Sequence, residues 1–167
     1  ILGPSEAGFH AVNLAVHVAN TLLVYFLARL LAGRHGQAGE RSCAMVAATV
    51  AALLFGLHPA QTEAVTYISG RSASLMAMFY LGGLCAYAAG TAPRRPWLLY
   101  VVSPALFCLA VATKEVAVTF PLALLWWEWF RRDGPVDWRA MARRQAVHWA
   151  LLLALAVALL AHPVYGS

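Results

Sequence analysis

The chain has 167 residues, 62% of them hydrophobic and only 11% charged, whereas an ordinary soluble domain is about half apolar and about one quarter charged; the composition excludes a typical soluble domain. Its 12 Lys and Arg against 7 Asp and Glu leave a formal net charge of +5, and in a chain this apolar such an excess marks membrane-flanking loops, not a nucleic-acid surface. Cys43, Cys85 and Cys108 lie in apolar runs without CxxC spacing, so they indicate neither a disulfide framework nor a zinc site and read as small packing residues.

The pattern predicts an all-α integral membrane protein, a polytopic bundle of about six transmembrane helices forming a single domain over 1–167. The start, Ile1-Leu2-Gly3-Pro4, has no Met and no basic leader, and the chain stops at Tyr165-Gly166-Ser167, so it reads as a fragment. A first apolar run at 9–31 is long enough to cross about 30 Å of hydrocarbon at about 1.5 Å per residue. The second, 43–57, is shorter and ends in His58-Pro59, before the polar stretch that leads to Gly70-Arg71. The third, 73–89, stops at Gly90-Thr91-Ala92-Pro93. The fourth and fifth, 98–113 and 116–130, are split only by Lys114-Glu115, where a tight turn is expected. Pro104 and Pro121 then fall inside spans, as kinks that neighbouring helices tolerate. The sixth, 146–161, ends in His162-Pro163. Before it, Asp137 is expected to cap a short interfacial helix through Trp138, Met141 and Ala142, with Arg139, Arg143 and Arg144 toward lipid phosphates.

Alternating the loops between two sides gathers Arg34, Arg41, Arg94, Arg95, Arg131, Arg132, Arg139, Arg143 and Arg144 on one of them, with Arg29 near its edge. Only Arg71 and Lys114 fall opposite. The positive-inside rule makes the first side cytoplasmic. Glu6, His10, His58, Glu63, Arg71, Lys114, Glu115 and His162 are then expected at the outer, periplasmic or lumenal, face. Trp97, Tyr100, Trp126, Trp127 and Trp129 read as interfacial anchors.

Within the first run, His10, Asn13, His17 and Asn20 recur at steps of three and four, on one helical stripe. Polar groups at membrane depth turn away from lipid, so this stripe is either a hydrogen-bonded seam between helices or the lining of a site. Residues 58–71 bring His58, Glu63, Tyr67 and Arg71 into one outer segment. A carboxylate there serves as a general base or acceptor-positioning group, and the arginine is a forked clamp for phosphate. The alternative is a Glu63–Arg71 ion pair that ties the loop down. Lys114-Glu115 adds a second charged pair, as a site or as snorkelling ends of a turn. Glu128 is expected to pair with Arg131 or Arg132. No GxGxxG, P-loop, HExxH or GxSxG pattern occurs, which removes the usual nucleotide, zinc-protease and serine-hydrolase readings.

The ordered set Phe9-His10-x-x-Asn13-x-x-x-His17-x-x-Asn20, Leu54-Phe55-Gly56-Leu57-His58-Pro59-x-x-Thr62-Glu63-Ala64-Val65, Gly70-Arg71, Lys114-Glu115 and Pro121 resembles the membrane half of the transmembrane and tetratricopeptide-repeat O-mannosyltransferases and their bacterial relatives. The resemblance covers about residues 9–128. It implies a GT-C-type enzyme that moves a sugar, mannose by analogy, from a polyprenyl-phosphate carrier to a protein hydroxyl on the outer face of a bacterial inner membrane or an ER-like membrane. On that resemblance Glu63, Glu115 and His58 form the catalytic group. Arg71, Lys114 and His10 hold the carrier phosphate. The donor is a lipid-linked sugar, the acceptor a protein or peptide, the surroundings membrane lipids; no metal ligand set is assigned, and a divalent ion stays open. Relatives of this kind are expected to carry an upstream acidic residue and downstream repeats, neither of which lies in this stretch, and Ser72-Ala73-Ser74 stands where many carry an acid. The fragment alone is therefore expected to be inactive. A transporter or flippase-like module and a purely structural membrane piece are the competing classes.

Overall fold

The structure, a computed structural model, describes residues 6–32, 38–61, 70–92, 94–131, 134–135 and 137–161. The described residues are helical, in the order α1 (Glu6–Ala32), α2 (Ala38–Leu57), α3 (Arg71–Gly90), α4 (Ser103–Thr113), α5 (Phe120–Arg131) and α6 (Trp138–Ala161). Short 3₁₀ turns cover Pro59–Gln61 and Glu115–Thr119, and a π-helical turn covers Leu98–Val102. By length and composition two stretches are fit to cross a membrane, His10–Ala32 and Arg71–Gly90, while Arg41–Leu57 and Leu98–Thr113 are apolar but shorter. Of the six expected crossings, helix length and composition among the described residues thus indicate these two.

Element boundaries follow local chemistry. Helix α3 stops where Thr91 caps it, its N–H bonding to Tyr87 O at 3.1 Å and its Oγ1 to Ala88 O at 2.7 Å. The following Ala92-Pro93 then disfavours further helix. Helix α4 ends at Thr113 because Lys114 is extended, φ −159° and ψ 134°, which confirms a break between the fourth and fifth runs. Two expectations change here. The fifth run does not start as a span at 116, since Glu115–Thr119 is a 3₁₀ turn and α5 begins at Phe120. Pro121 is the second residue of α5, where the missing N–H costs least, so it does not kink the middle of a span, whereas Pro104 lies inside the continuous helical stretch Leu98–Thr113, just after its π-helical turn, as expected.

Helix α6 brings a third correction. Asp137 Oδ1 accepts the Ala140 N–H at 3.0 Å, the expected cap, but the helix it opens runs unbroken to Ala161. Among the described residues no separate interfacial helix precedes it. The second run likewise extends back to Ala38. Cys43 and Cys108 are exposed and only Cys85 is partly buried, with its Sγ 3.5 Å from Leu23 O; two of the three are therefore not packing residues.

Packing sets the register of the bundle. His17 of α1 meets Gly56 near the end of α2, so the two are antiparallel neighbours. Asn20 of α1 meets Ser74 in the first turn of α3, and Leu23 meets Cys85 further along it, so α1 and α3 run in the same direction. Gly90 lies so close to Leu99 that a Cβ would sit 2.4 Å from the Leu99 nitrogen, and Gly83 approaches Leu106. These contacts make the Leu98–Thr113 segment antiparallel to α3. A Cβ on Gly83 would come within 2.9 Å of the Phe120 ring, which fixes the start of α5 against the middle of α3. The core then forms from Tyr87, Leu99, Phe107, Phe120, Leu124 and Trp127.

Candidate functional site

The polar stripe of α1 is a seam between helices for much of its length. Asn13 and Asn20 are each 3% exposed. Asn20 donates from Nδ2 to Ser74 O at 3.0 Å. His17 Nε2 lies 3.0 Å from Gly56 O, and since a carbonyl only accepts, the Nε2 nitrogen carries the proton. Its ring stacks on Phe55 at 6.0 Å. Beside these groups lies a cavity of about 280 Å³ whose walls include His17, Asn20, Gln61, Gly70 and Ser74. The seam and the lining of a cavity are therefore the same residues, and Asn20 Oδ1, buried without a partner among the described residues, belongs to both.

Those expected site residues that the structure describes lie toward the end of the bundle formed by the start of α1, the end of α2 and the start of α3, but on different levels. With Asn20 level with Ser74, Arg71 comes level with His17, and His10 stands roughly 10 Å beyond it at the helical rise. Extending the Gly83–Leu106 and Gly90–Leu99 register brings Thr113 level with Met76, roughly 8 Å on the inner side of Arg71. Arg71 is half-buried at the first position of α3, Lys114 is half-buried in the extended break, and Glu115 is exposed. His58 is exposed and its Nδ1 accepts the Ala60 N–H at 3.1 Å, which orients the ring on its own turn. His10 is exposed on α1. Glu63, Tyr67 and His162 lie outside the described residues.

The opposite end holds a polar cluster that local sequence rules did not reveal. Glu128 of α5 is expected to pair with Arg131 or Arg132, of which Arg132 lies outside the described residues. It takes Arg144 of α6 in a forked grip, Nε to Oε1 at 2.8 Å and Nη2 to Oε2 at 2.9 Å, and also accepts the Tyr87 hydroxyl at 2.8 Å. Burial works against the Arg144 charge, but the hydrogen bonds and the attraction of Glu128 outweigh it and raise its pKa above the ordinary value, so the guanidinium stays charged. Arg131 instead donates to Ala88 O at 3.2 Å and Thr91 Oγ1 at 3.1 Å, with its guanidinium 5.7 Å from the Trp127 ring centre. One turn deeper, Ser103 and His148, each 0% exposed, meet at 2.9 Å. The rings of Phe107 and Phe120 pack around them. The signal that points to this cluster is the spacing Arg144, Gln145, His148, a second polar stripe on an otherwise apolar helix.

Among the described residues no group of three or more His, Cys, Asp or Glu could hold a metal ion. No family model matches the chain. No solved structure matches it. Curated relatives do. The chain is 32% identical over 118 residues to protein O-mannosyl-transferase Tmtc1 of Drosophila melanogaster, covering 70% of the chain and 12% of that protein. It is 30% identical over 128 residues to protein O-mannosyl-transferase Tmtc3 of the same fly, covering 67% of the chain and 14% of the relative. Human protein O-mannosyl-transferase TMTC4 is 35% identical over 88 residues, 51% of the chain and 12% of the relative. These are animal proteins. Over part of its length the chain is thus similar to protein O-mannosyl-transferases at moderate identity, and it spans less than one sixth of the length of these relatives.

Proposed function

We propose that the chain is part of a multi-pass membrane glycosyltransferase of GT-C type, which moves a sugar, mannose by similarity, from a polyprenyl-phosphate carrier to a protein hydroxyl on the non-cytoplasmic face. The observation that carries this reading is the similarity of about two thirds of the chain to proteins named O-mannosyl-transferases. The clustering of His10, His58, Arg71, Lys114 and Glu115 toward one end, with most basic residues toward the other, supports it. The acceptor oxygen attacks the anomeric carbon, the bond from that carbon to the carrier phosphate breaks, and the hydroxyl proton passes to a carboxylate. Glu63 or Glu115 is that carboxylate, with His58 beside it. The departing phosphate gains negative charge, which Arg71 and Lys114, with His10 at the rim, stabilise.

The test is transfer of mannose from a polyprenyl-phosphate donor by the full-length parent protein in membranes, wild type against Glu63→Gln at matched expression. Loss of transfer with folded yield unchanged supports the assignment. Transfer by both would move the carboxylate role to Glu115 or to a residue outside this chain. No transfer by wild type would favour the structural reading, which the bonds from Asn20 to Ser74 and from His17 to Gly56 support for the α1 stripe itself.

A further inference from the structure

The cavity of about 280 Å³ between α1, the end of α2 and the start of α3 has His17, Asn20, Phe55, Gln61, Ala73 and Ser74 in its wall. Asn20 is 3% exposed, and its Nδ2 donates to Ser74 O at 3.0 Å, which fixes the amide so that Oδ1 is the end left without a partner among the described residues. A buried acceptor in that state carries a desolvation penalty, which a donor entering the cavity removes. His17 adds a second acceptor. Its Nε2–H is committed to Gly56 O at 3.0 Å, which in the neutral ring leaves Nδ1 with a bare lone pair. The Gln61 side-chain amide brings a donor and an acceptor, while Phe55 and Ala73 supply apolar wall. A water takes up about 30 Å³ of liquid, so the cavity has room for a far larger group. Bare acceptors oppose an anion, and among the described residues no His, Cys, Asp and Glu group could hold a metal ion. The chemistry that fits is a neutral group with several hydroxyls, which donate to Asn20 Oδ1 and His17 Nδ1 and accept from Gln61.

We propose that this cavity holds the sugar ring of the lipid-linked donor, its hydroxyls read by Asn20, His17 and Gln61. The inference rests on the transfer reading above and names where the sugar sits, which that reading leaves open. Two observations favour the donor sugar over the acceptor hydroxyl. A serine or threonine brings one hydroxyl, whereas Asn20 and His17, three residues apart on one stripe of α1, offer acceptors to two. The cavity wall at Ser74 also stands only three residues beyond Arg71 on α3, roughly 5 Å at the helical rise, so a phosphate at Arg71 and a ring at Asn20 are within the reach of one sugar–phosphate linkage. The Asn20–Ser74 bond then has two effects: it holds α1 on α3 and fixes which end of the amide is left for the ligand. These residues bind the sugar and take no part in proton transfer.

Binding of two carriers to the full-length parent protein in detergent, without acceptor, tests the assignment: polyprenyl-phosphate mannose and bare polyprenyl phosphate. The wild type should bind the mannose-bearing carrier about tenfold more tightly. Ala73→Leu fills the cavity while keeping the Asn20–Ser74 and His17–Gly56 bonds and a good helix former, and should bring the ratio of the two affinities to about one with bare-carrier affinity unchanged. Gln61→Leu, on the short turn outside the helices, should lower the ratio about threefold and gives a second reading if Ala73→Leu does not fold. Equal affinity of the wild type for both carriers overturns the sugar subsite and leaves the transfer reading standing, as does a wild-type ratio in both variants. Binding of a serine- or threonine-containing peptide that Ala73→Leu abolishes, with the carrier ratio intact, assigns the cavity to the acceptor and overturns the donor assignment. Binding of neither carrier by the wild type overturns the transfer reading, and the subsite with it.

Discussion

Glu128 and Arg144, sixteen residues apart, meet edge to edge through two hydrogen bonds of 2.8 and 2.9 Å, and the Tyr87 hydroxyl completes the carboxylate's set. Three helices are thereby pinned at one end of the bundle by a single acidic side chain that is only 14% exposed.

Removing one member should expose that dependence. Arg144→Ala is expected to cost about 2 kcal/mol, less than a fully buried pair because a third of the arginine faces outward. The double variant Glu128→Leu with Arg144→Met should recover most of the loss, measured as thermal unfolding in detergent. Additive losses would show that the two residues act independently.

Glycine substitutions discriminate the close helix contacts from the loose ones. Gly90→Ala drives a methyl to 2.4 Å from the Leu99 backbone and should cost about 2–3 kcal/mol. Gly82→Ala meets only a Leu106 methyl at 3.4 Å, and its better helix propensity should leave stability within about 1 kcal/mol of wild type. Unfolding midpoints of the two variants give the comparison.

Ser103→Ala should destabilise the protein by about 1–3 kcal/mol, because it leaves the buried His148 Nε2 without its 2.9 Å partner. Ser103→Ala combined with His148→Leu removes both polar ends and should be milder than Ser103→Ala alone. The reverse order would mean that His148 is held by its rings, not by the hydroxyl.

Much of the helical frame was legible because the relevant rules are local. The runs at 9–31 and 73–89 reappear within α1 and α3, and the charged pair Lys114-Glu115 inside an apolar stretch announced a break that the structure contains. The Arg-rich start of α6 was misread as a loop with a separate interfacial helix, since long basic side chains can lie along a continuous helix and keep their charges at its edge. The Arg144 partner of Glu128 was not foreseen for a related reason: spacing of three or four points to Arg131 and Arg132, whereas Arg144 arrives through the docking of α6. His148 and Ser103 were overlooked because their contact spans 45 positions of sequence. At the proposed transfer end the residues were identifiable by type, but their levels along the bundle, from His10 down to Lys114, depend on helix register and were not.

Asn20 decides between seam and site. Asn20→Ala removes the bond to Ser74 O and should cost about 0.6–1.7 kcal/mol. If transfer by the parent protein falls only in proportion to folded yield, the residue is structural; a larger fall at matched yield assigns it to the neighbouring cavity of about 280 Å³.

Arg71→Ala in the parent protein should raise the apparent donor KM by about tenfold or more while folded yield changes little, the signature of a lost charge-assisted phosphate contact. A parallel fall in yield and rate, with KM unchanged, would reduce Arg71 to a structural tie.

The extended residue Lys114 has a consequence for where charge can sit. Helix α5 has 12 residues and reaches about 18 Å, and the Glu115–Thr119 turn that leads into it adds about 10 Å. In the proposed multi-pass arrangement the two together come close to about 30 Å of hydrocarbon, so the break at Lys114 sets its ammonium at the edge of the apolar layer and leaves the whole stretch from Val116 to Phe130 to the apolar side.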